Sequence, residues 1–204
     1  MKVLVTGHKG YIGKHLYYNL KNMGHNVDGI DLKDGKDVLQ CLPDKPYDYV
    51  FHMAAIPKVS FCVSNPSYTI RQNVLVTSTL LEWAQKQGVK RVIFSSSAAI
   101  YGNGDGVPKS PYGLHKLISE MECRLFSDLY GLDTICLRYF NVYSEDQPFG
   151  GSYSTAISAW MQMIRDGKPL RMDGDGEQTR DFIHVDDIVL ANIHAMESTK
   201  KIQW

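Results

Sequence analysis

Short apolar runs alternate with amphipathic segments along the chain. The runs are rich in β-branched residues, as buried parallel strands are, and they cover residues 1–5, 27–30, 49–53 and 91–95. Behind the first run, Ile12, Leu16 and Leu20 recur at helical spacing. Parallel strands need crossover connections, which are right-handed in nearly all known sheets. The pattern therefore predicts an α/β fold with a doubly wound parallel sheet.

Two longer helices are also predicted. Asn65 and Pro66 form a good N-cap and first-turn pair, so a helix starts there or resumes near Asn73 and ends at Gly88. The second helix follows Ser110, and its apolar stripe is formed by Leu114, Ile118, Met121, Leu125 and Leu129. Tyr112 and Lys116 are four residues apart on the same helix. Their side chains therefore share one face, outside the apolar stripe.

Three glycines separate the first strand from the first helix. Gly7, Gly10 and Gly13 have the spacing G-x-x-G-x-x-G, which is weak evidence by itself. In the order strand, turn, helix, glycine permits a tight turn and a close approach of the backbone to a pyrophosphate. The helix N-terminus then presents free N–H groups to the phosphates. We therefore expect a dinucleotide at this turn.

Acidic residues follow the second apolar run. Asp31 ends that run about twenty residues after the glycines, where an acid accepts a hydrogen bond from an adenosine ribose hydroxyl. A carboxylate there repels a ribose phosphate, which favours NAD over NADP. The alternative for Asp31 is a surface turn residue. Asp37 and Val38 lie in a polar passage and are read either as neighbours of the adenine or as part of a solvated loop.

Composition narrows the range of functions. The 204-residue chain has 22 basic and 22 acidic side chains, and this balance gives no field to attract nucleic acid or a membrane surface. Cys41, Cys62, Cys123 and Cys136 show no C-x-x-C pairing, so we expect reduced thiols in a cytoplasmic protein without a metal site. No stretch is long and apolar enough to span a bilayer, and the first strand leaves no room for a signal peptide.

Candidate chemistry follows the fourth apolar run. Ligands of open α/β sheets bind outside the carboxyl ends of the strands, where Ser95 and Ser97 lie. Tyrosine has an ordinary pKa of about 10, and the positive charge of Lys116 favours the Tyr112 phenolate. Ser97 is then placed to hold a substrate oxygen while Tyr112 takes its proton. A Y-x-x-x-K pair in isolation is more often a solvated helix face.

Six motifs resemble those of the extended short-chain dehydrogenases that act on nucleotide sugars, and most closely the NAD-dependent nucleotide-sugar epimerases and dehydratases. They are T-G-x-x-G-x-x-G at 6–13, H-M-A-A at 52–55, S-S-S-A-A-I-Y-G at 95–102, Y-G-L-H-K at 112–116, L-R-Y-F-N-V at 137–142 and G-D-G-E-Q-T-R-D-F-I-H-V-D-D at 174–187. The resemblance implies a Rossmann-like domain at 1–148, a reduced substrate-binding segment at 149–180 and a returning strand and helix at 181–204.

The resemblance also implies site residues. Ser97, Tyr112 and Lys116 form the catalytic set, and Ser97, Asn141 and Arg180 contact the nucleotide sugar. The implied NAD-binding residues are Gly7, Gly10, Tyr11, Ile12, Gly13, Asp31, Asp37, Val38, Met53, Ala54, Ala55, Ser95, Tyr112, Lys116 and Tyr139. Members of the family form homodimers through a four-helix bundle, for which this chain has the helices at 73–87 and 112–130.

The residues after Ser97 narrow the range of reactions that the protein could catalyse. Related sugar dehydratases have an acid pair there to eliminate water, whereas this chain has Ala98 and Ala99. We therefore expect epimerisation, at C4, through a transient keto sugar. The alternatives are an NAD-dependent oxidoreductase or dehydratase of the same family and an NAD-binding remnant with impaired catalysis. Compared with the family, the chain is short between Asp31 and His52, between Gly102 and Tyr112, and in its C-terminal part.

Overall fold

A five-stranded parallel sheet organises the computed structural model, which describes residues 1–148, 156–172 and 174–199. Its strands are β1 (Lys2–Thr6), β2 (Asn26–Ile30), β3 (Tyr49–His52), β4 (Arg91–Ser97) and β5 (Asp133–Tyr139). Their spatial order is β2-β1-β3-β4-β5, and every neighbouring pair is parallel. The order reverses between β1 and β3, which is where doubly wound folds bind their ligands. The predicted fold class is confirmed.

Helices cover both faces of this sheet. They are α1 (Tyr11–Asn22), α2 (Val38–Cys41), α3 (Val59–Ser64), α4 (Pro66–Ile70), α5 (Val76–Lys86), α6 (Pro111–Tyr130), α7 (Ala156–Arg165) and α8 (Val185–Glu197). One π-helical turn, Arg71–Leu75, joins α4 to α5, so the helix predicted from Asn65 starts at Pro66 and continues to Lys86. Between β2 and β3 the chain forms only a 3₁₀ turn and α2, which explains the short spacing before His52.

Alternate residues of each strand enter two separate cores. On one face Leu4, Val50 and Val92 pack with residues of α5 and α6. On the other face the neighbouring residues of the same strands pack against α1 and α8, and these are Val3, Val5, Phe51 and Ile93. A strand buried on both faces reads as a continuous apolar run, because both sets of side chains must leave water. This explains why the strands were visible in the sequence.

The C-terminal region adds a small second sheet. β6 (Asn141–Tyr143) pairs in parallel with β7 (Phe182–His184), and α8 follows β7 directly. The predicted substrate segment at 149–180 is described only in part, because residues 149–155 and 173 lie outside the described residues, as do residues 200–204. Its described part contains α7, in which Ser158 is buried.

Helix α6 buries its polar face and exposes its apolar stripe. Leu114, Met121, Leu125 and Leu129 are 47%, 59%, 53% and 68% exposed. The buried face instead carries Gly113, His115, Lys116, Ser119, Glu120 and Cys123. An amphipathic helix ordinarily turns its apolar side to the core. In α6 the apolar side faces away from the core of this chain.

All four cysteines are free thiols, with Cys62 and Cys123 buried and Cys41 and Cys136 partly buried. Burial raises the pKa of the Cys62 thiol, which makes it less reactive. In the described ranges, no helix combines the length and apolar character needed to cross a bilayer.

Candidate active site

The glycine turn between β1 and α1 has no space for larger residues. A Cβ atom on Gly7 would lie 2.7 Å from the Ala54 nitrogen, and Gly7 has a φ of +71°. A Cβ atom on Gly13 would lie 2.1 Å from the Gly7 carbonyl oxygen. Gly10 is the N-cap of α1, and it has no side chain that could accept a hydrogen bond from the first turn. The first N–H groups of the helix therefore stay available. This cradle fits the diphosphate of a dinucleotide.

A groove runs from this turn in two directions along the carboxyl ends of the strands. One half, which we call the adenosine half, has Asp31, Asp37, Val38 and Ala54 among its lining residues. The Asp31 carboxylate accepts hydrogen bonds from the backbone nitrogens of Lys9 and Lys33, both at 2.8 Å. Two amides therefore fix this carboxylate at the end of β2, while its remaining lone pairs can accept ribose hydroxyls.

The other half, which we call the catalytic half, contains most of the predicted site residues. It encloses about 590 Å³, within the range of small-molecule sites. The predicted residues along it are Gly7, Gly10, Tyr11, Ile12, Gly13, Met53, Ala55, Ser95, Ser97, Tyr112, Lys116, Tyr139 and Asn141. The fold thus brings residues that follow β1 and β3 to one groove with residues of α1, β4, α6 and β5.

Lys116 is buried at the base of the catalytic half. Its ammonium donates to the Ser95 carbonyl oxygen and lies 4.6 Å from the Phe94 ring centroid. It lies 5.9 Å from the centroid of the Tyr112 ring. Burial lowers the pKa of Lys116 to about 8. At neutral pH the lysine is still mostly protonated, so it can place a positive charge beside the tyrosine.

Close backbone packing joins the Ser97 end of β4 to the start of α6. A Cβ atom on Gly113 would lie 2.5 Å from the Ala99 carbonyl oxygen. Ser110 caps the helix by accepting from the Gly113 nitrogen at 3.1 Å. Ser97 accepts from the Ala99 nitrogen at 3.2 Å, which leaves its hydroxyl proton available to donate. Gly113 was not singled out from the sequence, although it stands next to Tyr112.

The three predicted residues of the C-terminal motifs differ in position. The Tyr139 hydroxyl accepts from Asn192 Nδ2 at 2.7 Å, and burial raises its pKa. Asn141 lines the catalytic half, and its amide donates to the Asp181 carbonyl oxygen at 2.9 Å. Arg180 is exposed, donates to the Thr179 carbonyl oxygen at 2.6 Å, and is not among the described residues that line either half.

Sequence reasoning also missed several groove residues. Lys58, Gln147 and Phe140 line the catalytic half. The first could have been found as a residue shortly after the carboxyl end of a strand. Gln147 depends on a tertiary fold that its neighbours in sequence do not indicate. The described residues contain no group of three or more His, Cys, Asp or Glu side chains arranged to hold a metal ion.

A buried polar chain supports the groove from below. His52 Nδ1 lies 2.7 Å from Thr6 Oγ1, and His52 Nε2 lies 3.0 Å from Thr77 Oγ1. Asn73, in the π turn, accepts from the Ile56 nitrogen at 2.7 Å and donates to the Ile56 carbonyl oxygen at 3.1 Å. His52 is therefore a hydrogen-bonded core histidine, with both ring nitrogens within hydrogen-bond distance of a threonine hydroxyl. Its burial lowers its pKa to about 3, so it is neutral in the folded protein.

This histidine predicts a pH dependence of stability. The unfolded chain binds a proton at His52 below about pH 6.5, whereas the folded chain resists it down to about pH 3, so stability is lost as the pH falls through this window. Between pH 6.5 and 4.5, the unfolding free energy of the wild type should fall about 2 to 3 kcal/mol more than that of His52→Gln. Urea denaturation of both chains measures this, and equal acid sensitivity would contradict it.

A doubly wound sheet with a glycine cradle at its switch point defines the class of Rossmann-like dinucleotide-binding proteins. The chain belongs to the NAD dependent epimerase/dehydratase family, whose model matches residues 3–203. The family recognised from the sequence motifs is thereby confirmed.

A curated relative and two solved structures agree with this placement. A putative UDP-glucose 4-epimerase of Methanocaldococcus jannaschii is 33% identical, over 98% of this chain and 75% of the relative. Among solved structures, the UDP-N-acetylglucosamine 4-epimerase from Methanobrevibacter ruminantium M1, in complex with UDP-N-acetylmuramic acid, has a TM-score of 0.91 at 32% identity over 98% of this chain and 74% of that chain. The UDP-glucuronic acid 4-epimerase from Bacillus cereus, in complex with UDP-glucuronic acid and NAD, has a TM-score of 0.86 at 32% identity over 99% and 75%. The chain thus spans about three quarters of the length of these relatives, which confirms that it is shorter than they are.

Proposed function

We propose that this protein is an NAD-dependent epimerase that inverts C4 of a nucleotide sugar through a transient keto sugar. The observation that carries the proposal is that Ser97, Tyr112 and Lys116 line the same groove as the glycine cradle. The relatives and solved neighbours named above are 4-epimerases of UDP-sugars, which supports a substrate of this class.

The two halves of the groove suggest how NAD is held. Gly7, Gly10 and Gly13 receive the diphosphate, Asp31 the adenosine ribose, and Asp37 and Val38 the adenine. A fixed carboxylate at Asp31 favours NAD, because the extra phosphate of NADP would be repelled by it. Toward the other half, Lys116 and Tyr139 hold the nicotinamide end. Bound NAD supplies a hydride acceptor that returns the hydride in the same turnover, so no net cofactor is consumed.

Tyr112 transfers the proton, and Ser97 and Lys116 assist it. The Ser97 hydroxyl donates to the sugar oxygen and positions it, and the Tyr112 phenolate takes the proton from that oxygen. Lys116 is buried and stabilises the phenolate by its positive charge. When the sugar returns to the alcohol level, Tyr112 gives the proton back. Dehydration is disfavoured because Ala98 and Ala99 have no proton to give to a leaving hydroxyl.

We further propose that Asn141 and Arg180 bind the diphosphate of the nucleotide sugar. A guanidinium suits a phosphate, and an amide N–H can donate beside it. For this, Arg180 must leave the Thr179 carbonyl oxygen and turn toward the groove. Residues 149–180, including α7, would then form the wall around the sugar, with 1–148 as the cofactor domain and 181–204 returning to it.

The test of the function is direct. Purified protein is incubated with NAD and a panel of UDP-, GDP- and dTDP-sugars, and the products are resolved by proton NMR. We expect one sugar to equilibrate with its C4 epimer without a lasting rise in absorbance at 340 nm. Stoichiometric NADH, or loss of water from the sugar, would instead establish the oxidoreductase or dehydratase alternative.

The exposed stripe of α6 suggests a homodimer. Ser78 of α5 donates to Glu122 of α6, so the two helices are tied together on the side where Leu125 and Met121 are exposed. Two copies of this helix pair would form a four-helix bundle and remove the apolar stripes from water.

Four free thiols fit a reducing compartment, so we place the protein in the cytoplasm.

A charge in this stripe is expected to separate the subunits. Leu125→Glu should convert the dimer to a monomer, because two carboxylates would be buried at the bundle. Light scattering after size exclusion measures the mass. Leu190→Glu on α8 is the matched control, since Leu190 is 52% exposed and distant in sequence from the stripe. A monomeric wild type, or dissociation by the control alone, would contradict the bundle.

A further inference from the structure

Lys58 occupies a central place in the groove. It follows β3 as the N-cap residue of α3 and lines both the adenosine half and the catalytic half. Few residues are shared by the two halves, and they are Gly7, Gly10, Met53, Ala55, Pro57 and Lys58. Lys58 thus lies at the junction that also contains the glycine cradle.

Three lysines around the cradle are already engaged, and a fourth, Lys36, lines the adenosine half alone. Lys9 pairs with Asp34, and Lys14 pairs with Asp146 at 2.6 Å. The Lys33 ammonium donates to the Lys9 carbonyl oxygen at 2.9 Å. Moving any of these to a ligand would break an existing contact. They are therefore poor candidates for neutralising an anion in the groove.

Lys58 differs from them. Within the described part of the chain, no carboxylate lies within 4.0 Å of its ammonium, and the side chain is exposed. The described lining of the catalytic half includes no Asp or Glu, and its other cation is Lys116, which donates to Ser95. Among the residues shared by the two halves, Lys58 therefore supplies the ammonium that can bind an anion.

We propose that Lys58 binds the diphosphate of the cofactor and holds it on the β3 side of the groove. This inference rests on the proposed function, since it takes the dinucleotide to be NAD. The cradle supplies N–H groups from the β1–α1 side, and Lys58 adds a flexible ammonium, which contributes charge without requiring a fixed geometry. The diphosphate is then contacted from two elements, and Lys58 acts as a binding residue.

Binding measurements separate this role from catalysis. The affinities of Lys58→Met, Lys58→Arg and the wild type for NAD, ADP-ribose and adenosine are measured by calorimetry at low salt. We expect Lys58→Met to weaken the binding of NAD and of ADP-ribose by about tenfold or more, as for a lost charge-assisted contact. The affinity for adenosine should be unchanged. Lys58→Arg should recover most of the affinity. Lys86→Met is the control, because Lys86 is exposed on α5 and pairs with Glu82.

The outcomes are distinct. Equal affinity of wild type and Lys58→Met for NAD and ADP-ribose would overturn the inference. If only the affinity of NAD-loaded protein for UDP fell, Lys58 would serve the diphosphate of the substrate, and the inference would again be wrong. Failure of the wild type to bind NAD would overturn the proposed function itself. Normal NAD binding without epimerisation would overturn the proposed epimerase activity. The NAD affinities of the wild type and Lys58→Met would still decide the role of Lys58.

Discussion

Replacement of Tyr112 by phenylalanine is expected to lower turnover by a factor of about 10² to 10⁴ while NAD binding persists, because a general base contributes a factor of this size. The substitution removes one hydroxyl and keeps the ring that lies 5.9 Å from the Lys116 ammonium. Neither the glycine cradle nor Asp31 is altered. The loss should therefore be in the rate of the chemical step, with little change in cofactor affinity.

Two measurements check this expectation. Turnover is followed by NMR with the sugar identified from the panel, and NAD affinity by calorimetry. Tyr130→Phe is the matched control, because Tyr130 ends the same helix and is 57% exposed. Unchanged turnover in Tyr112→Phe would remove Tyr112 from the mechanism. A large loss of NAD affinity would assign it to cofactor binding instead.

Gly13→Ala is expected to have the second large effect. Alanine normally stabilises a helix relative to glycine by about 0.5 to 1 kcal/mol, so the intrinsic preference predicts a gain. Here the new Cβ atom would lie 2.1 Å from the Gly7 carbonyl oxygen, and backbone must move to relieve the overlap. Overpacking of this kind costs about 1 to 3 kcal/mol. The movement would also displace the cradle that we assign to the diphosphate.

The expected result is a fall in the thermal midpoint of about 3 to 10 °C together with at least tenfold weaker NAD binding. Differential scanning fluorimetry and calorimetry measure the two effects. Asn22→Ala serves as the control, since it places an alanine at an exposed position of the same helix without a close neighbour in the cradle. A variant with higher stability and normal NAD affinity would show that the turn relaxes at no cost.

Local patterns in the sequence were enough to predict β1 to β4, whereas β5 was not predicted from its pattern. The strands are buried on both faces, so their apolar runs are continuous and easy to see. The glycine turn, Asp31 and the Ser110 cap each depend on interactions with nearby residues. Once these elements are placed in a parallel sheet, the carboxyl ends of β1, β3 and β4 must meet at one edge. The predicted residues were therefore brought together by topology.

Features that depend on distant contacts were not predictable in this way. The apolar stripe of α6 gave no indication that it would be exposed, because amphipathic spacing does not say which side faces the sheet. Lys58 was missed because a single lysine in a loop has no pattern. Arg180, identified by family resemblance, lies outside the described groove, since its position depends on how its exposed segment packs.

The π turn at Arg71–Leu75 sets the angular phase of the long helix. Each added or removed residue rotates the following side chains by about 100° around the axis. On the turn itself, Gln72 reaches Asp37 at 3.3 Å and Asn73 holds Ile56, while Leu80 and Leu81 beyond it enter the core. The π turn therefore links its own contacts with neighbouring loops to the contacts that α5 makes in the core. Deleting a single residue here would rotate the following side chains relative to Gln72 and Asn73. The contacts with the loops and the contacts in the core could then no longer form together, although no other side chain is changed.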